Sequence, residues 1–225
     1  MRFEGFGDGA VEFYEGLEAD NSKAYWADQL TTYREHVRAP MEALLAELEP
    51  EFAAGVGSGG APGRGKVFRP HRDVRFSADK APYKTHCGAV IEAGRGGGAY
   101  YVEISAAGML VAGGCFHAEP DQLARYRAAV DEPLHGERLT EIVDALGPRW
   151  ELAGDVLATR PRGVPADHPR LELLRHRTLH AVRRWEPDDL LHERGCLARV
   201  RRGWRELREL NRWCADHVGP SERRR

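Results

Sequence analysis

The residues best suited to chemistry lie between Arg64 and His86, where Arg64, Lys66, Arg69, Arg72, Arg75, Lys80 and Lys84 are set against only Asp73 and Asp79. Guanidinium forks bind carboxylate or phosphate through paired hydrogen bonds, and ammonium groups add compact charge. Arg69, Arg72 and Arg75 step by three, so an extended or turn backbone does not bring all of them to one face. With Lys80, Tyr83 and Lys84 they could still converge after a turn at Ala81-Pro82. Arg69, Arg72, Arg75, Lys80, Tyr83 and Lys84 are therefore the candidate anion-binding set, and Asp73 and Asp79 their structural partners. Lysine occurs only at Lys23, Lys66, Lys80 and Lys84, and three of these lie in or beside this run. In so arginine-rich a chain, a retained lysine marks a place where a compact ammonium is wanted.

Two rival readings of the same residues stay open. Asp73 and Asp79 could neutralise the arginines in an internal ion-pair network that holds the loop on a sheet. Alternatively, Asp79, Lys80, Tyr83 or Lys84 could act as acid/base groups in an enzyme whose reaction the sequence does not assign.

Other signals carry less. Gly60-Ala-Pro-Gly-Arg-Gly-Lys66 matches most of a phosphate-binding loop, but Val67 stands where the Mg²⁺-binding Ser or Thr belongs, and the stretch precedes a strand. His71, His86, Cys87, Cys115 and His117 match no zinc spacing, so no metal or cofactor is expected. No Gly-x-Ser-x-Gly elbow is present. Tyr101 and Glu103 alternate onto one strand face and could line a pocket. Arg199, Arg201, Arg202, Arg205, Arg208 and Arg212, with the tail Arg223 to Arg225, could contact nucleic acid. Their interleaving with Glu206 and Glu209 reads instead as a salt-bridged solvent face.

The elements that must position these groups follow from periodicity. Asp8 is a candidate N-cap for a first helix carrying Val11, Tyr14 and Leu17, and Asn21 or Ser22 can cap the next. Leu30, Tyr33, Val37, Met41, Leu44 and Leu48 form a helical stripe that Pro40 should bend or divide. Period-two patterning then predicts strands at Lys66 to Arg69, Thr85 to Glu92, Tyr100 to Ser105 and Leu110 to His117, with turns at Gly94 to Gly98 and Ala106 to Gly108. Connections this short join antiparallel neighbours. Helices follow from Glu119 through Val130 and over Arg138 to Leu146; Glu151 to Arg177 reads as mostly loop; and Leu197 to Val218 forms a last amphipathic helix. The whole is one α+β domain over residues 1–225. It is helical over 8–50, has a flexible glycine-rich loop at 55–65, a central antiparallel β-meander over about 66–117, and mixed helix and loop over 119–218.

Further motifs are Phe3-Glu-Gly-Phe6, Asp20-Asn21 with Tyr25-Trp26, Tyr33 with Pro40-Met41, and above all Arg72-Asp-Val-Arg-Phe-Ser-Ala-Asp-Lys-Ala-Pro-Tyr-Lys-Thr-His86. In these the chain resembles the bacterial family known as domain of unknown function 2461, and the resemblance is closest in the last string. It continues through Tyr100-Tyr-Val-Glu-Ile-Ser105, Gly113-Gly-Cys-Phe116, Pro120-Asp-Gln-Leu123 and Pro161-Arg-Gly163. A shared fold is what the resemblance implies; it brings no activity, cofactor or catalytic residue. Arg205-Glu-Leu-Arg-Glu-Leu-Asn-Arg-Trp213 departs from the proline-containing pattern of the family and implies a different C-terminal packing surface.

A net charge of −2 excludes a nucleic-acid-coating chain, and no apolar run approaches the ~20 residues that cross a bilayer. Cys87, Cys115, Cys196 and Cys214 form no CxxC pair and read as reduced, buried thiols, which points to the cytoplasm. The expected function is a soluble module that takes a small phosphorylated or carboxylated ligand on the basic run. An enzyme in the same pocket, or a structural or nucleic-acid-interacting protein, are the alternatives. The sequence does not encode a legible oligomeric state.

Overall fold

The computed structural model describes residues 2–53, 64–92 and 98–222. Most of the glycine-rich loop and of the Gly94 to Gly98 turn, and the arginine tail, lie outside these residues.

Helix α1 (Ala10–Ala19) buries Phe13, Tyr14 and Leu17. Its N-cap is Gly9, not Asp8, whose side chain is fully exposed. The chain is instead pinned on His36: Gly9 N–H donates to His36 Nδ1 and Gly7 N–H to the His36 carbonyl, both at 3.0 Å. In α2 (Lys23–Asp28) the Ser22 hydroxyl accepts the Tyr25 N–H at 3.1 Å and caps the helix. Asn21 is left for another task. A long helical run follows: α3 (Leu30–Thr32), a wider π turn over Tyr33–Arg38, and α4 (Ala39–Phe52). Pro40 has no N–H for the carbonyl of His36 four residues back. The π turn and the Gly7 N–H absorb that loss, so the helix is divided in geometry without being broken.

Six strands make one antiparallel sheet in the order β1-β2-β3-β4-β6-β5. Strands β1 (Gly65–Val67), β2 (His86–Glu92), β3 (Ala99–Ser105) and β4 (Gly108–Cys115) are the expected meander. The β3–β4 turn needs its left-handed residue at Gly108 (φ 95°), because neither Ala106 nor Ala107 has positive φ. Next come α5 (Pro120–Asp131) and α6 (Pro133–Leu146), the second starting earlier than expected because Glu132 caps it and Pro133 opens it. The sheet does not stop near 117. Strand β5 (Glu151–Ala153) lies in the segment expected to be loop, and after the short α7 (Leu171–Arg175), β6 (Leu179–Trp185) pairs with β4 along seven residues. Ala181 and Val182 are both buried, so β6 lacks the alternation that announces a strand. The last helix is two, α8 (Gly195–Glu206) and α9 (Arg208–His217), joined at Leu207.

Register sorts the strand residues onto two faces. Cys87, Ala89 and Ile91 pair with Ile104, Val102 and Tyr100, which pair with Met109, Val111 and Gly113. Onto this face α4, α8 and α9 pack: Phe52 and Trp204 set their rings against Tyr100, and the Asn211 side chain approaches Gly113, where a Cβ would crowd it. The other face carries Lys66, Val90, Tyr101, Glu103, Leu110, His180 and Arg184.

Candidate functional site

Between β1 and β2 the basic run forms a hairpin-like excursion. Its neck is closed by Arg72 N–H to the Pro82 carbonyl (2.9 Å) and Lys84 N–H to the Pro70 carbonyl (2.8 Å). Tyr83 is buried there and stacks on Trp26 with centroids 4.2 Å apart and planes 10° off parallel. Asn21 accepts the Tyr83 N–H at 3.0 Å and donates to the Tyr83 carbonyl at 3.1 Å. One side chain thus supplies what a neighbouring strand would, and anchors the excursion to the N-terminal helices.

The candidate residues do not converge on one point. Arg72 donates to Asp79 at 2.5 Å and to the Ala81 carbonyl at 3.3 Å. Arg75 forks Asp73 through Nε (2.9 Å) and Nη2 (2.7 Å), and Lys80 donates to the Val74 carbonyl at 3.0 Å. The Arg75 fork holds the Asp73 carboxyl below its ordinary range, and the Ala81 N–H followed by Arg72 does so for Asp79. These pairs lie at the surface, with Arg69 exposed beside them. Phe76 projects at the tip, 97% exposed.

Lys84 behaves differently. It leaves the neck toward the sheet and places Nζ 5.2 Å from the Phe68 ring centroid; Lys66, on the strand face shared with Val90 and Tyr101, places its Nζ 5.6 Å from the same ring. Neither lysine has a carboxylate partner among the described residues. Phe68 lies 6.3 Å from the Tyr101 ring, which lies 6.0 Å from Phe116, itself stacked on His180 at 4.4 Å. The Tyr101 hydroxyl donates to Glu103 at 2.5 Å, and His86 Nε2 stands 3.7 Å from the same carboxylate oxygen. Burial, then the Glu103 charge, keep Tyr101 protonated well above the usual phenol range. The ring can lie across β2 only because residue 88 is glycine: a Cβ there would stand 2.3 Å from the Tyr101 oxygen.

The site on this second face is therefore an aromatic floor of Phe68, Tyr101 and Phe116, with Lys66 and Lys84 each set against Phe68 and a Tyr–Glu–His line beside it. Of the six predicted binding residues only Lys84 reaches it. Lys66 belongs to the basic run but not to the predicted binding set, and Tyr101 with Glu103 fall on the common face that strand alternation predicts. Phe68, His86 in this role, and the Asn21 clamp had no local signal, since each depends on a partner brought in by the tertiary fold.

Among the described residues no three His, Cys, Asp or Glu side chains come together as a metal site. The four cysteines are free and buried, and burial pushes the Cys87 and Cys196 thiols up to about 12, leaving them un-ionised at neutral pH. Arginines of α8 and α9 are engaged: Arg201, Arg205 and Arg208 all reach Glu51, Arg199 pairs with Asp188 and Arg212 with Glu209. No helix among the described residues is long and apolar enough to cross a membrane.

The family described as "Conserved hypothetical protein (DUF2461)" matches residues 9–213. The chain belongs to this family. The match takes in the hairpin, the meander and both C-terminal helices as far as Trp213. No curated protein matches the chain.

Proposed function

We propose that this family member binds a small phosphorylated or carboxylated molecule carrying a flat ring, on the Tyr101 face of the sheet beside the hairpin. The observation that carries the reading is the pair of ammonium groups, Lys66 and Lys84, set 5.6 and 5.2 Å from one Phe68 ring without a carboxylate partner among the described residues. Each ammonium offers an anion a charge that no carboxylate neutralises, and Phe68 and Tyr101 offer a π surface to its body. Arg72 and Arg75 of the hairpin are met by Asp79 and Asp73, so their charge is already neutralised within the hairpin.

An enzyme on the same face is the second reading, and Tyr101–Glu103–His86 is what favours it. Glu103 would accept a proton and Tyr101 would donate a hydrogen bond beside the bound anion. Turnover lost in Glu103→Gln while binding persists would separate this reading from simple binding.

The test is calorimetric titration with adenosine monophosphate and benzoate at constant ionic strength, against inorganic phosphate. Binding to the folded state raises stability by about 2.7 kcal/mol at a hundredfold excess over Kd. At least one ring-bearing anion should bind wild type, and Lys66→Gln/Lys84→Gln should weaken it by at least about tenfold, about 1.4 kcal/mol, with an unchanged denaturation midpoint. Equal binding by both proteins would overturn the proposal.

A further inference from the structure

A concavity lies where β4 runs into α5 and the chain comes back toward β6. Its volume is about 370 Å³, within the range of small-molecule sites, and its walls include His117, Leu123, Ala124, Arg127, Asp155 and Arg177. None of these residues belongs to the face described above.

The charges of the walls do not balance. Arg177 is paired with Asp155 at 3.0 Å. Arg127 has no carboxylate partner among the described residues, and its Nε is buried without a hydrogen-bond partner. A buried guanidinium N–H left unpaired is costly, and Nε is half of the side-on fork by which arginine takes two oxygens of one oxyanion. Leu123 and Ala124 give the same cavity an apolar side.

We infer that this cavity is a separate site for a small oxyanion with a short apolar body, held by the Arg127 fork with Arg177 contributing charge from the rim. Carboxylate and phosphate share this chemistry, so butyrate and inorganic phosphate are the two probes.

Both probes are titrated by thermal shift into the Lys66→Gln/Lys84→Gln protein at chloride-matched ionic strength, which removes the first proposed site from the measurement. A saturable rise in Tm is expected with at least one probe, and which one responds distinguishes carboxylate from phosphate. Arg127→Gln in that background should weaken the response at least tenfold, and Arg177→Gln by a few fold. Arg177 is half exposed, so its variant reports even if Arg127→Gln does not fold. No saturable shift with either probe, or a response unchanged by Arg177→Gln, overturns the inference. The ring-bearing anions test the first site on their own, so either proposal can fail without the other.

Discussion

The two faces of β2, β3 and β4 are spelled by alternate residues of the same strands, yet they are completed in different ways. On one, Tyr100, Val102, Ile104 and Val111 are buried under helices, and polar groups there are few. On the other, Tyr101 and Glu103 remain partly open, no helix ring reaches them, and their neighbours are Lys66, Phe68, Phe116 and His180 from the strand ends and loops. Period two thus divides labour: one set of positions supplies the apolar burial that holds the fold, and the other has room for charge and hydroxyls.

If this division holds, the largest loss follows from a change on the covered face. Trp204 is fully buried, with its ring against Phe52 and Tyr100 and its indole N–H donating to the Tyr101 carbonyl at 3.0 Å. Trp204→Ala should cost about 3–5 kcal/mol in denaturant unfolding; a loss below about 1 kcal/mol would mean that the helices are not what completes this face.

The open face predicts a smaller and conditional effect. Gly88→Ala puts a methyl group into the Tyr101 ring and should cost about 1–3 kcal/mol as overpacking. In a Tyr101→Phe background, where the clashing oxygen is gone, the same change should cost clearly less. Equal costs in both backgrounds would show that Gly88 matters for the backbone and not for the ring laid across it.

The smallest effect is confined to acid and belongs to the edge of the covered side. Glu47 accepts the Phe3 N–H at 2.7 Å and two donors of Arg194 at 2.8 and 3.0 Å, tying the segment around buried Phe3 to α4. These bonds, those of Arg194 first, hold its carboxyl at about 2 instead of the ordinary 4.5. A depressed folded pKa means that the contribution is complete above the ordinary value and fades as pH falls from there toward about 2. Stability measured between about pH 5 and pH 2 should therefore fall less steeply in Glu47→Gln than in wild type; parallel curves would show that Glu47 is not linked to folding.

Much of the architecture was legible because it depends on neighbours in the chain. Alternation over residues 85–117, short turns and the helical stripes of Leu30 to Leu48 and Leu197 to Val218 are local patterns, and they led to an α+β fold with an antiparallel meander, with the wide turn before Pro40 as a local correction. Strand β6 was hidden because what makes it a strand is β4, about seventy residues earlier, and burial from both sides erased its alternation. The hairpin shows the same limit for the site. Residue order alone concentrates positive charge there and sets Asp73 and Asp79 within reach of it. It is the fold that sets which cations those carboxylates neutralise, that makes Asn21 and Trp26 hold Tyr83 out of the site, and that puts Lys84, like Lys66, against the Phe68 ring. The physical reason is range: hydrogen-bond capping and periodicity act over a few residues, whereas an ammonium's partner is whatever the folded chain brings within a few ångströms of it.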